Sequence, residues 1–255
     1  MRIAKSVAAA AFFIVAAGGL AGAQEKTVRI GTEGAYPPFN FFDTNNELQG
    51  FDIDIAKAVC EKMKVTCTFV AQDWDGIIPA LQAGKYDAIF ASLSITDERK
   101  QVVDFSRAYN NMPSAFIAPK DSGITDTSPA GLSGKTIGAQ SSTIQAAYLE
   151  ENYGDLDFKF YPTQDEVNLD LAAGRIDALF VDKLVGLDWL KTEDGSCCAV
   201  VGTDVPVGEG IAAAVRKGDA ELRDAISKAI EEIKADGTFD KINAKYFDFS
   251  IWPQG

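Results

Sequence analysis

A repeated segment constrains the fold of this chain more than any other feature. Six residues are identical between residues 81–92 (LQAGKYDAIFAS) and residues 171–182 (LAAGRIDALFVD). Each copy contains the end of a helix, a glycine suited to the left-handed position that closes a helix, and a short apolar strand. Such junctions also recur by chance in α/β proteins, but the length of the match favours two equivalent units.

The hydrophobic pattern alternates short strands with amphipathic helices, which is typical of parallel α/β sheets. Apolar residues recur every four positions from Phe51 to Met63 and predict a helix there. Thr163 and Glu166 form a capping box that predicts the start of another helix. Further strands are predicted at residues 27–31, 65–71, 88–91 and 136–139, and further helices at residues 76–83, 220–236 and 239–246.

The ends of the repeated strands predict where a ligand would bind. In open α/β sheets, ligands lie beyond the carboxyl ends of the strands. The two repeated strands end at Ser92 and Asp182, which should therefore face a cleft between the units. We expect the chain to cross between the units near residues 110–114 and again near 205–211. Two crossings would form a hinge that permits closure.

Each candidate polar residue can also be explained by a purely structural role. Arg99 could pair bidentately with a carboxylate, or it could be a solvated helix residue. Ser94 offers a hydroxyl, and Thr143 could either contribute to an anion site or cap its own helix. Asp182 needs a cationic or donor partner, which a ligand ammonium group would supply. Capping of the helix that begins at Lys183 would explain Asp182 equally well.

Two aromatic and two acidic residues lie near the same predicted strand ends. Tyr36 and Trp74 follow predicted strands, where they could flank an aliphatic or cationic group or simply pack in the core. Glu33 and Asp52 would add negative charge at that end of the cleft.

Composition excludes several classes of function. The formal net charge of −13 disfavours nucleic acid and anionic membranes as partners, because both would repel the chain. The absence of histidine excludes a Ser-His-Asp arrangement. We expect no metal and no cofactor.

The four cysteines fall into two pairs that could form disulfides in an oxidising compartment. Cys60 and Cys67 could close a short loop, whereas Cys197 and Cys198 are adjacent and would need a strained ring. A four-cysteine zinc site is the competing interpretation, but neither spacing is that of a C-x-x-C motif.

The first 23 residues have the features of a secretory signal peptide. Arg2 and Lys5 precede an apolar stretch at residues 7–20, and small residues occupy positions 21–23. The apolar stretch is short for a bilayer span. We therefore expect cleavage before Gln24 and export without membrane insertion.

Several motifs together resemble the polar amino-acid-binding proteins of bacterial ABC importers, and most closely the lysine/arginine/ornithine- and histidine-binding branch. The motifs are Gly50–Asp54, Ser92–Thr96 with Arg99, Ala173–Asp182, Asp236–Lys241 and Lys245–Phe247. The resemblance covers essentially the whole chain after residue 23. It implies a periplasmic binding protein type II fold, in which two Rossmann-like lobes are joined by two hinge strands. Lobe one would comprise residues 24–110 and 211–255, and lobe two residues 111–210.

The resemblance also implies roles for individual residues. Arg99 with Ser94 and Thr143 would hold a ligand α-carboxylate, and Asp182 with Ser92 its α-ammonium group. The side chain would lie between Tyr36 and Trp74, with its distal cation at Glu33 and Asp52. A disulfide between Cys60 and Cys67 matches that branch. The implied protein is a periplasmic monomer that delivers a basic amino acid to a membrane permease.

Three positions depart from this branch and leave the ligand open. Glu33 stands where aspartate is usual, Trp74 where phenylalanine or leucine is common, and Ile144 where glutamine is frequent. The first two changes also resemble opine-binding relatives. A periplasmic dehydratase and the sensing module of a receptor would share the same scaffold, so both remain competing functions.

Overall fold

The fold is described from a computed structural model that covers residues 26–253. The predicted signal peptide lies outside these described residues. The strands of the described chain, in order, are β1 (Thr27–Thr32), β2 (Ala35–Tyr36), β3 (Asn40–Phe42), β4 (Leu48–Gln49), β5 (Thr66–Ala71), β6 (Ala88–Ile89), β7 (Val103–Asn110), β8 (Ser114–Pro119), β9 (Thr136–Gln140), β10 (Asp157–Tyr161), β11 (Ala178–Asp182), β12 (Cys198–Val205) and β13 (Ile211–Arg216). Its α-helices are α1 (Phe51–Met63), α2 (Ile77–Gln82), α3 (Asp97–Lys100), α4 (Ile144–Asn152), α5 (Gln164–Ala172), α6 (Lys183–Trp189), α7 (Ala220–Ala235) and α8 (Thr238–Tyr246).

Two five-stranded sheets of the same design organise the described chain. The first sheet has the order β5-β1-β6-β13-β7, and the second has the order β10-β9-β11-β8-β12. In each sheet the first three strands run parallel and the last two join through antiparallel pairs. The equivalent third strands, β6 and β11, are the two strands of the sequence repeat. The mixed α/β fold class expected from the sequence is therefore confirmed.

The repeat produces the same local geometry twice. Gly84 and Gly174 both have a positive φ, 75° and 68°, which closes the helix before each repeated strand. In both copies the glycine N–H donates to the carbonyl of the leucine three residues earlier. The predicted capping box of α5 is also present, because Thr163 and Glu166 each cap the other's backbone N–H.

The chain passes between the two sheets at two places. Strand β7 of the first sheet ends at Asn110, and β8 of the second sheet begins at Ser114. The return runs from Val205, at the end of β12, to Ile211, at the start of β13. The last two strands of each sheet, which pair antiparallel, are therefore the strands next to the crossings. They are β13 and β7 in the first sheet and β8 and β12 in the second.

Helices α1, α7 and α8 pack together beside the first sheet. The fully buried ring of Phe51 lies at the centre of this packing, where it contacts the rings of Phe39, Tyr109, Phe239, Tyr246 and Phe247. A disulfide between Cys60 and Cys67 joins the end of α1 to β5. The adjacent residues Cys197 and Cys198 are also disulfide-bonded.

A small three-stranded sheet, β2-β3-β4, was not predicted. Its strands are two or three residues long, too short to show an alternating pattern. It holds the segment that contains Pro37 and Pro38 against the start of α1, where Phe51 N–H donates to the Pro38 carbonyl. Within residues 26–253, no helix is both long and apolar enough to span a bilayer.

Candidate functional site

A narrow cavity lies between the two sheets, at the carboxyl ends of their parallel strands. Its walls come from both sheets, and Ser92 and Asp182, which the sequence predicted to face a cleft, both belong to this lining. The lining consists of Glu33, Tyr36, Trp74, Ala91, Ser92, Ser94, Arg99, Gln140, Thr143, Ile144, Gln145 and Asp182.

Arg99 supplies the positive charge of the cavity. It belongs to α3, whose Thr96 caps the helix by accepting from the Arg99 backbone N–H at 3.1 Å. Its guanidinium donates to the carbonyl oxygens of Ser94 and Ser142, at 3.0 and 3.1 Å, and lies 5.5 Å from the centre of the Trp74 ring.

The side chain of Arg99 has no carboxylate partner within the described residues. Burial lowers the pKa of Arg99 to about 10, so the group is still protonated at neutral pH. A cation bound only by neutral carbonyls and an aromatic face is well placed to accept an anionic ligand group.

Asp182 supplies a carboxylate from the second sheet. It does not cap α6. Its two oxygens instead accept from the Tyr36 hydroxyl at 2.9 Å and from Gln145 Nε2 at 2.8 Å. Burial raises the pKa of Asp182 to about 6, while these two hydrogen bonds and the charge of Arg99 oppose the rise. The carboxylate is therefore costly to keep ionised without a cation nearby.

Ser92 follows the repeated strand of the first sheet by three residues, because β6 ends at Ile89 and not at Ala91 as predicted, and it has a left-handed backbone with φ of 49°. A residue with a side chain rarely adopts this conformation, and such residues concentrate at binding sites. Its hydroxyl donates to Asp52 at 2.9 Å. Because the hydroxyl proton is used in that bond, the Ser92 oxygen can accept a hydrogen bond from the cavity side.

Asp52 does not line the cavity, which corrects the predicted contact with a distal ligand cation. Its carboxylate is fully buried behind Ser92 and accepts from Asn40, Ser92 and Tyr109. Burial raises the pKa of Asp52 to about 6, and the three hydrogen bonds oppose the rise. Asp52 thus orients Ser92 instead of contacting the cavity.

Thr143 both caps its own helix and lines the cavity. As the N-cap of α4, its hydroxyl accepts from the Ala146 N–H at 3.1 Å and donates to the Gln140 carbonyl at 2.7 Å. The same residue lines the cavity. The preceding residue, Ser142, has a positive φ of 56° and directs its carbonyl to Arg99.

Glu33 and Gln140 also line the cavity, one from each wall. Gln140 ends β9 in the second sheet, and its Nε2 donates to Glu33 Oε1 at 2.6 Å and to the Pro162 carbonyl at 3.1 Å. Burial raises the pKa of Glu33 to about 7, the Gln140 hydrogen bond lowers it, and the nearby Asp165, Asp73 and Asp75 raise it further. The surroundings of Glu33 are therefore acidic.

Eight of the nine predicted ligand-contact residues therefore line one cavity, and Asp52 is the exception. Sequence reasoning missed Gln140 and Gln145. Gln140 could have been found, because it ends a strand in the same way as Asp182. Gln145 lies in the first turn of α4, and nothing in the sequence distinguishes it there. The predicted aromatic walls, Tyr36 and Trp74, are 7% and 8% exposed and also contact Asp182 and Arg99.

The family model of bacterial extracellular solute-binding proteins, family 3, matches residues 28–249. The L-arginine-binding protein of Pseudomonas aeruginosa is 43% identical over 237 residues, which cover 90% of this chain and 91% of that protein. The octopine-binding periplasmic protein of Rhizobium meliloti is 37% identical in an alignment that covers 99% of this chain and 100% of that protein.

Solved structures show the same likeness. An ancestral arginine-binding protein bound to arginine superposes with a TM-score of 0.82 and 40% identity, covering 88% of this chain and 99% of that chain.

Proposed function

Because the chain belongs to the bacterial extracellular solute-binding proteins of family 3, we propose that it captures an L-amino acid in the periplasm and delivers it to the permease of an ABC importer. One observation carries this proposal: Arg99 and Asp182 lie on walls from different sheets of one cavity. An amino acid has a carboxylate and an ammonium group, so it can bridge those walls.

Arg99 binds the ligand α-carboxylate, together with Ser94 and Thr143. Asp182 and the hydroxyl oxygen of Ser92 bind the α-ammonium group. Removing two charges from water is unfavourable unless each gains a charged partner. For the two α-groups the cavity offers one partner of each sign, Arg99 and Asp182, which favours a zwitterion over a sugar or a singly charged acid.

The ligand side chain extends toward Glu33, between Tyr36 and Trp74. The carboxylates near that end favour a basic side chain, as in arginine, ornithine, lysine or histidine. An opine is the second candidate, because the octopine-binding relative aligns over nearly the whole chain. Binding proteins, not enzymes, are the relatives at 37% to 43% identity, and a dehydratase activity has no comparable support.

Capture involves two lobes that close like a hinged clamp. Lobe one comprises residues 24–110 and 211–255, and lobe two comprises residues 111–210. Cross-sheet hydrogen bonds, such as Tyr36 to Asp182 and Ser141 to Asp75, join the two walls directly. These bonds support a closed arrangement, and the crossings near residues 110–114 and 205–211 are the hinge. The closed monomer is the form that the permease receives.

Isothermal titration of the purified protein tests the proposal. The ligand panel comprises the twenty amino acids, ornithine, citrulline and octopine. We expect a dissociation constant between micromolar and nanomolar for at least one basic amino acid, about −8 to −12 kcal/mol. Absence of binding to every member of the panel contradicts the proposal. Conversion of a ligand to a product would support the dehydratase instead.

A further inference from the structure

We propose that Glu33 makes this cavity a proton-dependent selector between two classes of amino acid. Ionised Glu33 accepts hydrogen bonds from a cationic side chain, whereas protonated Glu33 donates to a neutral side chain that ends in an amide or ureido carbonyl. The inference rests on the proposed function and adds to it a second ligand class and the residue that chooses between the two.

The position of Glu33 supports this role. It follows β1 in the first sheet, and its side chain reaches Gln140 at the end of β9 in the second sheet. Only 9% of Glu33 is exposed. Bulk water has little access to a carboxyl group held between two walls of a closed cavity. Besides Gln140, the hydrogen-bond partner of Glu33 is therefore the ligand group that lies beside it.

Three further acidic groups lie close enough to Glu33 to raise its pKa. Asp73 and Asp75 come from the segment after β5, and Asp165 comes from the first turn of α5. Tyr36 on β2 contributes a neutral phenol that donates to Asp182.

None of the acidic groups around Glu33 forms an ion pair with a lysine or arginine among residues 26–253. Without a ligand cation, the protonated form of Glu33 is therefore favoured by both burial and repulsion.

Gln140 can serve both forms of Glu33. Its Nε2 donates to Glu33 and to the Pro162 carbonyl, which fixes the orientation of the amide. This donor holds one Glu33 oxygen in either protonation state and leaves the other oxygen to the ligand. That oxygen accepts when ionised and donates when protonated. The raised pKa of Glu33, about 7, places the change of form near neutral pH.

Arginine and citrulline are a matched pair of ligands for testing the inference. They differ only in their ends, a guanidinium in arginine and a neutral ureido group in citrulline. Both have the same α-groups, so protonation of Asp182 changes both affinities equally and leaves the ratio of the two affinities unchanged. The free protein is the same in both titrations, so its conformation does not affect this ratio either.

We expect the arginine-to-citrulline affinity ratio to rise by up to about a hundredfold between pH 6 and pH 8, which is tenfold for each pH unit over which the two complexes differ by one proton. The rise follows from linkage, because the citrulline complex retains a proton that the arginine complex has released. Titration in two buffers of different ionisation enthalpy should also show about one proton more released with arginine than with citrulline, at constant pH. Both measurements use the unmodified protein.

The substitution Glu33→Gln tests whether the carboxyl group of Glu33 causes the pH dependence. It retains a side chain that can donate to a carbonyl but cannot ionise, so its affinity ratio should not change with pH and citrulline should bind better than arginine. Glu61→Gln is the matched control, since Glu61 is exposed on α1. That variant should keep the pH dependence of the unmodified protein.

The outcomes separate this inference from the proposed function. An affinity ratio that is constant between pH 6 and pH 8, or absence of citrulline binding at pH 6 where arginine binds, overturns the selector and leaves amino-acid capture intact. Persistence of the full pH dependence in Glu33→Gln also overturns it. If no amino acid binds at either pH, the proposed function itself fails.

Discussion

The guanidinium of Arg99 is held by its geometry as much as by its charge. It donates to carbonyls of both walls and lies 5.5 Å from the centre of the Trp74 ring, and these contacts together orient the guanidinium within the cavity. A lysine ammonium is a point charge that reproduces neither the aromatic contact of a guanidinium nor its paired donors. The charge alone would survive an Arg99→Lys replacement, but the orientation would not.

Arg99→Lys should therefore weaken every amino-acid ligand by a similar factor. The expected loss is roughly 1.5 to 3 kcal/mol, the scale of a hydrogen bond to a charged group. Isothermal titration with arginine and citrulline at one pH measures it. Arg223→Lys is the control, because Arg223 pairs with its neighbour Asp224 on the surface of α7. A loss confined to one of the two ligands would contradict the assignment of Arg99 to the α-carboxylate.

For individual residues, the sequence predicted the position in the fold better than the direction of the side chain. The rule that ligands lie beyond strand ends placed Ser92 and Asp182 correctly in the cavity lining. The family resemblance, and not this rule, implied a ligand contact for Asp52, and a helix pattern does not show that its carboxylate turns toward Tyr109 and Asn40. Contacts between side chains that are distant in the chain, such as Gln145 with Asp182, leave no local signal.

At the scale of elements, the glycine before each repeated strand decides how the helix ends. Gly84 and Gly174 have positive φ values, and a Cβ atom at either position would meet no other atom within 4 Å. A substitution there is therefore disfavoured by backbone conformation alone, without a steric clash. Because the two positions are equivalent in the repeat, they should respond alike.

Gly84→Ala and Gly174→Ala should each lower the free energy of unfolding by about 1 kcal/mol, the usual cost of a left-handed conformation for a residue with a side chain. Urea denaturation followed by circular dichroism measures the change. Gly154→Ala is the control, because Gly154 lies outside the left-handed region and has room for a Cβ atom. Unequal losses at Gly84 and Gly174 would show that the two copies are not energetically equivalent.

Most elements with a clear period could be predicted, and the short ones could not. The predicted helix from Phe51 to Met63 has the observed bounds, and the predicted strand at residues 65–71 differs from β5 by one residue. The predicted helix at 76–83 is shorter in the structure, because Trp74–Gly76 forms a 3-10 turn before α2. Strands β2, β3 and β4 depend on pairing with each other, which a sequence of two or three residues cannot show.

At the scale of the whole molecule, three buried carboxylates should set the dependence of stability on pH. Burial raises the pKa of Glu33 to about 7 and those of Asp52 and Asp182 to about 6. The folded protein therefore binds protons that the unfolded chain, with carboxyl pKa values near 4, has already released. Stability must then fall as pH rises through this range.

Other carboxylates have the opposite effect, but in a lower range of pH. Ion pairs with Arg29 and Arg216 hold the pKa of Asp87 at about 2, and the pKa values of Asp170 and Asp236 are also well below the usual range. Their stabilising contribution is complete above the unfolded pKa and is lost only as pH falls below about 4. Between pH 5 and pH 7.5 the three buried carboxylates therefore determine that stability falls as pH rises.

The melting temperature of the ligand-free protein should therefore be higher at pH 5 than at pH 7.5, by several degrees, since about 1 kcal/mol corresponds to roughly 2 to 4 °C for a chain of this size. Saturating arginine brings a guanidinium to Glu33 and an ammonium group to Asp182, so it should raise the melting temperature more at pH 7.5 than at pH 5. Differential scanning calorimetry at both pH values, with and without arginine, measures the four temperatures. An arginine-induced increase that is larger at pH 5 would mean that these carboxylates do not meet the ligand in their ionised forms.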